Sequence, residues 1–243
     1  MKFGFLSTLD NPLLPIFINS GLSYDVKDIF VIIDTLGIKK KDQEIFNNRT
    51  NGEFGDAKDF NKLIKKLNDI SIPFYFVKNH NSDKATLLYE KLNLDCLLNA
   101  GTPRKISDQI LKTTKKGVVN IHPGILPNYR GCSCVEWAIL NDDPVGNTAH
   151  FMDSDYDTGP IILSESYSFP KYSKYTEIRN TIYLKGCQLA ARVLKDIENK
   201  KISSKNCIVQ NNDVGKYWDP IPLDLEINAI NKANSGKYRF QIE

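Results

Sequence analysis

The chain has 243 residues, 41% of them apolar, and a formal net charge of +3. That is enough to bury one full core with a small appendage. Its basic residues are scattered, which argues against a nucleic-acid binder and leaves a phosphate-bearing small molecule as a possible charged partner. Cysteines at 96, 132, 134, 187 and 207 lack paired spacing. The Cys-Ser-Cys at 132–134 has no second Cys/His pair, so free thiols and no metal are expected. No apolar run could span a bilayer, and the opening M-K-F-G-F-L-S-T is too short for a signal peptide, so a cytoplasmic protein without membrane insertion is expected. Asn48-Arg49-Thr50 is then a chance sequon.

Lys2–Ser7 reads as a first strand, followed by a turn-prone T-L-D-N-P and a helical segment over Leu13–Ile18 that closes near Gly21. I-F-V-I-I-D at 29–34 is a strand buried on both faces. Residues 35–55 are polar and Asn/Gly-rich and read as a loop, either a lid or static. Phe60, Leu63, Ile64 and Leu67 give a helical face capped near Asp56. P-F-Y-F-V-K is a strand, Ala85, Leu88 and Leu92 share a helix face, and L-D-C-L-L-N-A-G is a strand ending at Gly101. A short helix over Ile106, Ile110 and Leu111 precedes the apolar run from Gly117.

This alternation predicts a doubly wound, Rossmann-like α/β fold with a mostly parallel sheet. Ligands in such sheets bind beyond the carboxyl ends of the strands, here Ser7–Asn11, Lys78–Asn81, Asn99–Thr102 and Asn120–His122. No G-x-G-x-x-G follows the first strand, which argues against a dinucleotide. G-N-T-A-H-F-M and P-I-I-L-S-E-S-Y follow as antiparallel edge strands, and Ile178, Ile182, Leu189, Val193 and Ile197 line a long helix. The predicted division is a catalytic domain over 1–200 and a short extension over 201–243. The extension reads as β-rich and hairpin-like, with two short strands or a hairpin and a short helix-like segment before the final G-K-Y-R-F-Q-I, used in dimerisation because an isolated hairpin is marginal.

In G-V-V-N-I-H-P-G, Asn120 and His122 stand on the same strand face because side chains at i and i+2 do. Pro123 and Gly124 stop the strand and leave the pair at its carboxyl end. Downstream, D-S-D-Y-D-T-G-P offers Asp153, Asp155 and Asp157 in a turn. A carboxylate beside an imidazole fixes its tautomer and lets it handle protons near neutral pH, while an Asn amide donates to a developing oxyanion. His80, in a polar loop, reads as a surface or binding-loop residue, and His150 as a satisfied core or rim histidine, with a site role as the lesser alternative. There is no G-x-S-x-G elbow, and no Ser or Cys near His122 occupies a recognisable nucleophile position. The chemistry this suggests is acyl transfer to a nucleophile brought by the substrate.

N-I-H-P-G-I-L-P-N-Y-R-G followed by V-G-N-T-A-H-F-M-D-S-D-Y-D-T-G-P resembles the signature of the 10-formyltetrahydrofolate-dependent formyltransferases, over roughly residues 70–165. The resemblance implies 10-formyltetrahydrofolate as formyl donor, no metal, and Asn120, His122 and Asp157 as the catalytic set. It implies a folate pocket lined by Asn99, Ala100, Gly101, Thr102, Pro103 and Asp153. Gly124 stands where many members have Ser, an exchange expected to cost no more than one hydroxyl in the site.

Among these families the chain is most similar to the small sugar N-formyltransferases, in length, in the R-G-C stretch and in the short aromatic tail. Its aromatic tail of mixed charge is a poor substitute for the basic tRNA domain of methionyl-tRNA formyltransferases, so tRNA is not the expected acceptor. Its S-T-L-D-N-P loop is without the glycine of the phosphate loop of the glycinamide ribonucleotide enzymes. The expected acceptor is a dTDP-linked 4-amino-4,6-dideoxy sugar for surface polysaccharide, acted on by a homodimer. Alternatives are the purine enzyme or a non-catalytic folate or nucleotide binder. Lys78, Asn81 and Arg130 are candidates for the phosphates, and Tyr129 or Trp137 for the base or sugar, although core packing is the better reading of Trp137.

Overall fold

A computed structural model describes residues 1–55, 60–203, 206–211 and 213–242. Strand β1 (Phe3–Thr8) is buried along its whole length and leads into helix α1 (Leu14–Ser23) and strand β2 (Ile29–Asp34). Helices α2 (Lys40–Thr50) and α3 (Phe60–Asp69) precede β3 (Phe74–Val77). Then come α4 (Asp83–Leu92), β4 (Cys96–Asn99), α5 (Asp108–Leu111) and β5 (Val118–His122). The second half runs β6 (Arg130–Gly131), α6 (Cys134–Asn141), β7 (Val145–Phe151), β8 (Ile161–Tyr167), β9 (Phe169–Pro170) and the long α7 (Tyr175–Glu198). Strand β10 (Tyr217–Trp218), α8 (Leu223–Asn234) and β11 (Gln241–Ile242) close the chain.

Seven strands form one sheet in the order β3-β2-β1-β4-β5-β7-β8. The first five are parallel, and β7 and β8 add to β5 antiparallel. The α/β expectation and its antiparallel edge are both met. Alternate residues feed two cores, as the pleat requires. Phe5, Val31, Ile33, Leu98 and Val119 pack with α1 and α7, while Leu6, Ile32, Leu97 and Val118 pack against the α4–α5 face. The order steps from β1 to β4 at the centre, and the carboxyl ends there open to the ligand side.

Four sequence expectations need correction. Helix α1 runs through Gly21, where a Cβ would lie 3.0 Å from Ile29 Cδ1, so this glycine serves close packing against β2 and is not a stop. The 35–55 stretch contains α2, which has no apolar stripe to reveal it: Thr50 is its one buried residue. Capping and tethers hold it instead. Asn51 ends it in the left-handed conformation (φ 52°), and the Asp10 carboxylate accepts from Ile38 N just before its start. Helix α6 follows β6 where the sequence reading assigns no element.

The fourth correction concerns the tail. Strand β10 pairs in parallel with β6, and β11 with β9. Neither forms a hairpin with the other, because a helix, α8, lies between them and packs Ala229 and Ala233 against the core around Ile139 and Ile178. The short strands find their partners within the chain, which removes the hairpin as a ground for a partner subunit. The cap assigned to Asp56 lies outside the described residues.

Candidate active site

Strand β5 ends between β4 and β7, which sets its polar residues among those of its neighbours. In register, Asn120 faces His150 across the antiparallel pair and His122 faces Thr148. The Thr102 amide donates to Asn99 Oδ1 (2.9 Å), and Asn99 Nδ2 donates to Asn120 Oδ1 (2.9 Å). Asn120 Nδ2 lies 3.1 Å from His150 Nε2, whose Nδ1 is 3.0 Å from Phe151 O. One assignment satisfies all four contacts: His150 Nδ1–H donates to the carbonyl and Nε2 accepts from Asn120. The amide of Asn120 therefore cannot flip, and its second N–H remains to meet an incoming oxygen.

His122 is 4% exposed. Its Nε2 lies 2.6 Å from Tyr129 O, and its Nδ1 lies 3.4 Å from Asp157 Oδ2. Burial pushes the His122 pKa down and His150 adds to that, against the upward pull of Asp157 and the Tyr129 carbonyl. The neutral ring thus donates from Nε2 and presents the Nδ1 lone pair toward Asp157. A proton arriving at Nδ1 would form an imidazolium with an acceptor at each nitrogen. Burial alone would raise the Asp157 pKa, but His122, His150 and the Gly131 N–H outweigh it and hold the carboxyl at about 2. Asp157 Oδ2 accepts from that N–H at 2.9 Å, and Oδ1 lies 3.6 Å from His150 Nε2.

Cys134 Sγ is 3.4 Å from His122 Nε2, which invites a Cys–His reading. The thiol is buried, burial pushes its pKa far up, and it points at the Tyr129 carbonyl (3.3 Å). It is therefore no thiolate nucleophile. This cluster explains Gly124, whose Cβ would stand 2.7 Å from Tyr129 O, 2.8 Å from His122 Nε2 and 3.0 Å from Cys134 Cβ. A serine there adds no hydroxyl to the site. Its Cβ would press on His122 Nε2, so a larger effect is expected than the sequence alone suggests. Gly124→Ser should lose about 1–3 kcal/mol of stability by overpacking, as urea unfolding would register.

A cavity of about 220 Å³ opens onto these groups, lined by Asn99, Thr102, Asn120, His122, Asp153 and Asp157 among others. A second, of about 170 Å³, meets Asn99 and Asn120 from the other side and includes Leu13, Gly101 and Tyr183. Through those three residues it adjoins a cavity of about 540 Å³ whose walls include Asp10, Gln43, Phe46, Arg49 and Arg179. Asn99 and Asn120 thus stand in a wall between two spaces.

The structure brings Asn99, Thr102, Asn120, His122, Asp153 and Asp157 together as the sequence suggests. Gly101 (φ 94°) lines the opposite space, and Ala100 is buried, its carbonyl taken by Asn11 Nδ2 (2.6 Å) and Ser7 Oγ (3.0 Å). The four substrate candidates lie outside the cavity walls. The Asn81 side chain is spent on Lys105 O and Ser107 N, both 2.8 Å. Tyr129 is buried, donates to Asp143 and stacks on Trp218 at 5.5 Å. Arg130 is buried with its guanidinium on Gln210, and Lys78 is exposed at the end of β3. Trp137 packs on Trp218 as expected of a core residue. His80 is fully buried, with ring contacts to Tyr89 Oη (2.9 Å) and Ser7 O (2.8 Å), so it is structural and not a surface group. His150, read first as a core or rim histidine with a site role as the alternative, is buried and also borders the cavity beside Asp157.

A family model described as Formyl transferase matches residues 49–194. This chain belongs to the formyl transferase family. The bifunctional polymyxin resistance protein ArnA of Wigglesworthia glossinidia brevipalpis is 31% identical over 182 residues, 72% of this chain and 27% of its own length. A methionyl-tRNA formyltransferase of Clostridium tetani is 29% identical over 126 residues, 51% of this chain and 41% of its own. The chain therefore spans less than half the length of these curated relatives. A solved N-formyltransferase of Helicobacter canadensis, in complex with folinic acid and dTDP-3-aminofucose, superposes with a TM-score of 0.60 at 19% identity, covering 96% of this chain and 81% of that one. Formyl transferase membership and the α/β sheet thus agree with the motif-based expectation.

Proposed function

We propose that this chain moves the formyl group of 10-formyltetrahydrofolate to the amine of a nucleotide-linked amino sugar, a dTDP-linked 4-amino-4,6-dideoxy sugar being the leading candidate. The observation that carries the reading is the wall formed by Asn120, with His122 and Asp157 on one side and a long cleft on the other. Donor and acceptor can approach one amide N–H from opposite sides, which converts a bimolecular encounter into an oriented one. 10-Formyltetrahydrofolate supplies the formyl carbon. The cavity beside Asp157 fits a polar ring system, since Thr102 Oγ1 at its wall is buried with no partner among the described residues.

Asn120 Nδ2–H is placed to donate to the formyl oxygen as it gains negative charge. His122 Nδ1 is placed to take a proton from the attacking amine and return one to the leaving nitrogen, with Asp157 stabilising the charged ring between the two events. The amine must be neutral to attack, so rate falls at low pH.

The larger cleft favours a sugar nucleotide over glycinamide ribonucleotide. After β1, where a phosphate loop would stand, the Asp10 carboxylate sits in the cavity wall and the Asn11 amide is already committed to Ser7 and Ala100. An anionic phosphate is disfavoured beside that carboxylate. Cationic groups, Arg49 and Arg179, lie elsewhere in the lining, with the aromatic faces of Phe46 and Tyr183. Arg49 is paired with Glu226 and Arg179 with Glu136, so the reading rests on the aromatic wall, to which we assign the base or sugar. The Helicobacter protein, whose alignment takes in nearly the whole of this chain, carries a ligand of that class.

Incubation with 10-formyltetrahydrofolate and a panel of amines, following tetrahydrofolate release and product mass, tests the activity. Formylation of the dTDP-amino sugar supports it. Formate without an amine would indicate a hydrolase, formylated glycinamide ribonucleotide the purine enzyme, and no turnover a binder. Within the cleft, Tyr183→Ala should raise KM for the sugar nucleotide by about tenfold, the worth of one good contact of roughly 1.4 kcal/mol, and leave KM for the formyl donor unchanged.

A further inference from the structure

Asp157 has a backbone φ of 57°, the left-handed region that residues with a side chain enter only when their surroundings hold them there. What holds it comes from the far end of the chain. Gln210, 8% exposed, donates from Nε2 to both Asp157 O (2.9 Å) and Gly159 O (2.7 Å). Its Oε1 accepts from Arg130 Nε (3.1 Å) and Nη2 (2.8 Å). A guanidinium has only donors, so the amide has one allowed orientation, with Nε2 toward the two carbonyls. Arg130 is itself buried, its backbone N–H on Lys216 O at 3.0 Å. The next residue, Gly131, gives its N–H to the Asp157 carboxylate. The main chain and the side chain of Asp157 are therefore tied to β6 by two separate routes, and the main-chain route passes through Gln210.

We propose that Gln210 is a positioning residue for formyl transfer: it fixes the Asp157 backbone so that the carboxylate stays against His122 Nδ1, and the segment following α7 thereby completes the active site. The proposal rests on the reading of Asp157 as the partner of His122. The route is specific in its chemistry. Two N–H donors on one atom span the carbonyls on either side of Thr158, and removing them leaves two acceptors without a donor at a strained turn. The stretch that carries Gln210 is anchored two residues earlier, where Ile208 exchanges backbone hydrogen bonds with Ile161 at 2.8 and 2.9 Å. Gln210 thus approaches from a fixed base.

Gln210→Glu keeps the length and the acceptor for Arg130 but loses the donors, and Gln210→Met loses both without adding charge. In the full chain, each should lower kcat by on the order of 10- to 100-fold, the cost of a catalytic group held about 1 Å out of place, with both KM values within about twofold. The NMR titration midpoint of His122, read in 15N-labelled protein, should move in the same direction as in Asp157→Asn. Two results would overturn the proposal: a His122 titration unchanged from the wild type in both variants, or a loss of turnover that the unfolded fraction accounts for entirely. If the wild type formylates none of the amines, the functional reading fails separately, and the titration alone then decides the role of Gln210.

Discussion

Asp157→Asn is expected to lower kcat by roughly 10²- to 10⁴-fold, the range set by a lost general acid–base partner, with the fold retained. The asparagine is isosteric and its side-chain oxygen can still accept from Gly131 N, so the turn survives. What disappears is the charge 3.4 Å from His122 Nδ1. That charge raises the His122 pKa against the larger, downward effect of burial. Without it the imidazolium formed in the reaction has no counter-charge, and the acid limb of the pH–rate profile should move to lower pH. Stability gives a second readout with its own sign. The Asp157 pKa falls from 3.8 to about 2 on folding, so its contribution is fully present above the unfolded value and is lost as pH drops toward 2. Thermal midpoints of wild type and variant should therefore differ least near pH 2 as far as this charge is concerned. Wild-type turnover in the variant would remove Asp157 from the mechanism.

The site was partly legible because strand periodicity is local. Asn120 and His122 two residues apart on an apolar strand had to share a face, and D-T-G-P announced a turn with a carboxylate. His150 was given a site role only as the lesser reading because its place depends on pairing between β5 and β7. Laying V-G-N-T-A-H-F antiparallel to V-V-N-I-H with Asn120 opposite His150 would have found it, but the register is not written in either strand alone. Two of the substrate candidates lie outside the cavity walls for the opposite reason. Tyr129 and Arg130 follow the motif closely in sequence and looked available, yet β10 lies on β6 and the tail covers them. Helix α2 escaped because helical periodicity reads burial, and this helix is tethered through charge and hydrogen bonds. Its Arg49 reaches Glu226 on α8 (2.8 Å) and Ser133 (3.1 Å), contacts that local sequence cannot express.

Asn120→Leu is expected to cost on the order of 10²- to 10³-fold in kcat, the usual effect of removing one donor to a developing oxyanion. The more informative result comes from its neighbour. Asn99 touches Asn120 Oδ1 and is itself fixed by the Thr102 amide. Asn99→Ala therefore leaves His150 Nε2 as the one remaining contact among the described residues that orients the Asn120 amide, and lets its oxygen turn toward the substrate more often. A misoriented amide repels the charge that it should stabilise, and kcat should fall by about tenfold although the donor is still present. In Asn120→Leu the amide to be oriented is gone, and Asn99→Ala should then add almost nothing beyond its effect on donor binding. A double-mutant cycle on kcat separates the two roles of Asn99. Strong coupling places Asn99 in the relay that aims Asn120, and additive losses reduce it to a wall of the donor cavity. The coupling would also fix the amide orientation, since only an Asn120 with its oxygen on Asn99 and its nitrogen on His150 makes the two substitutions interdependent.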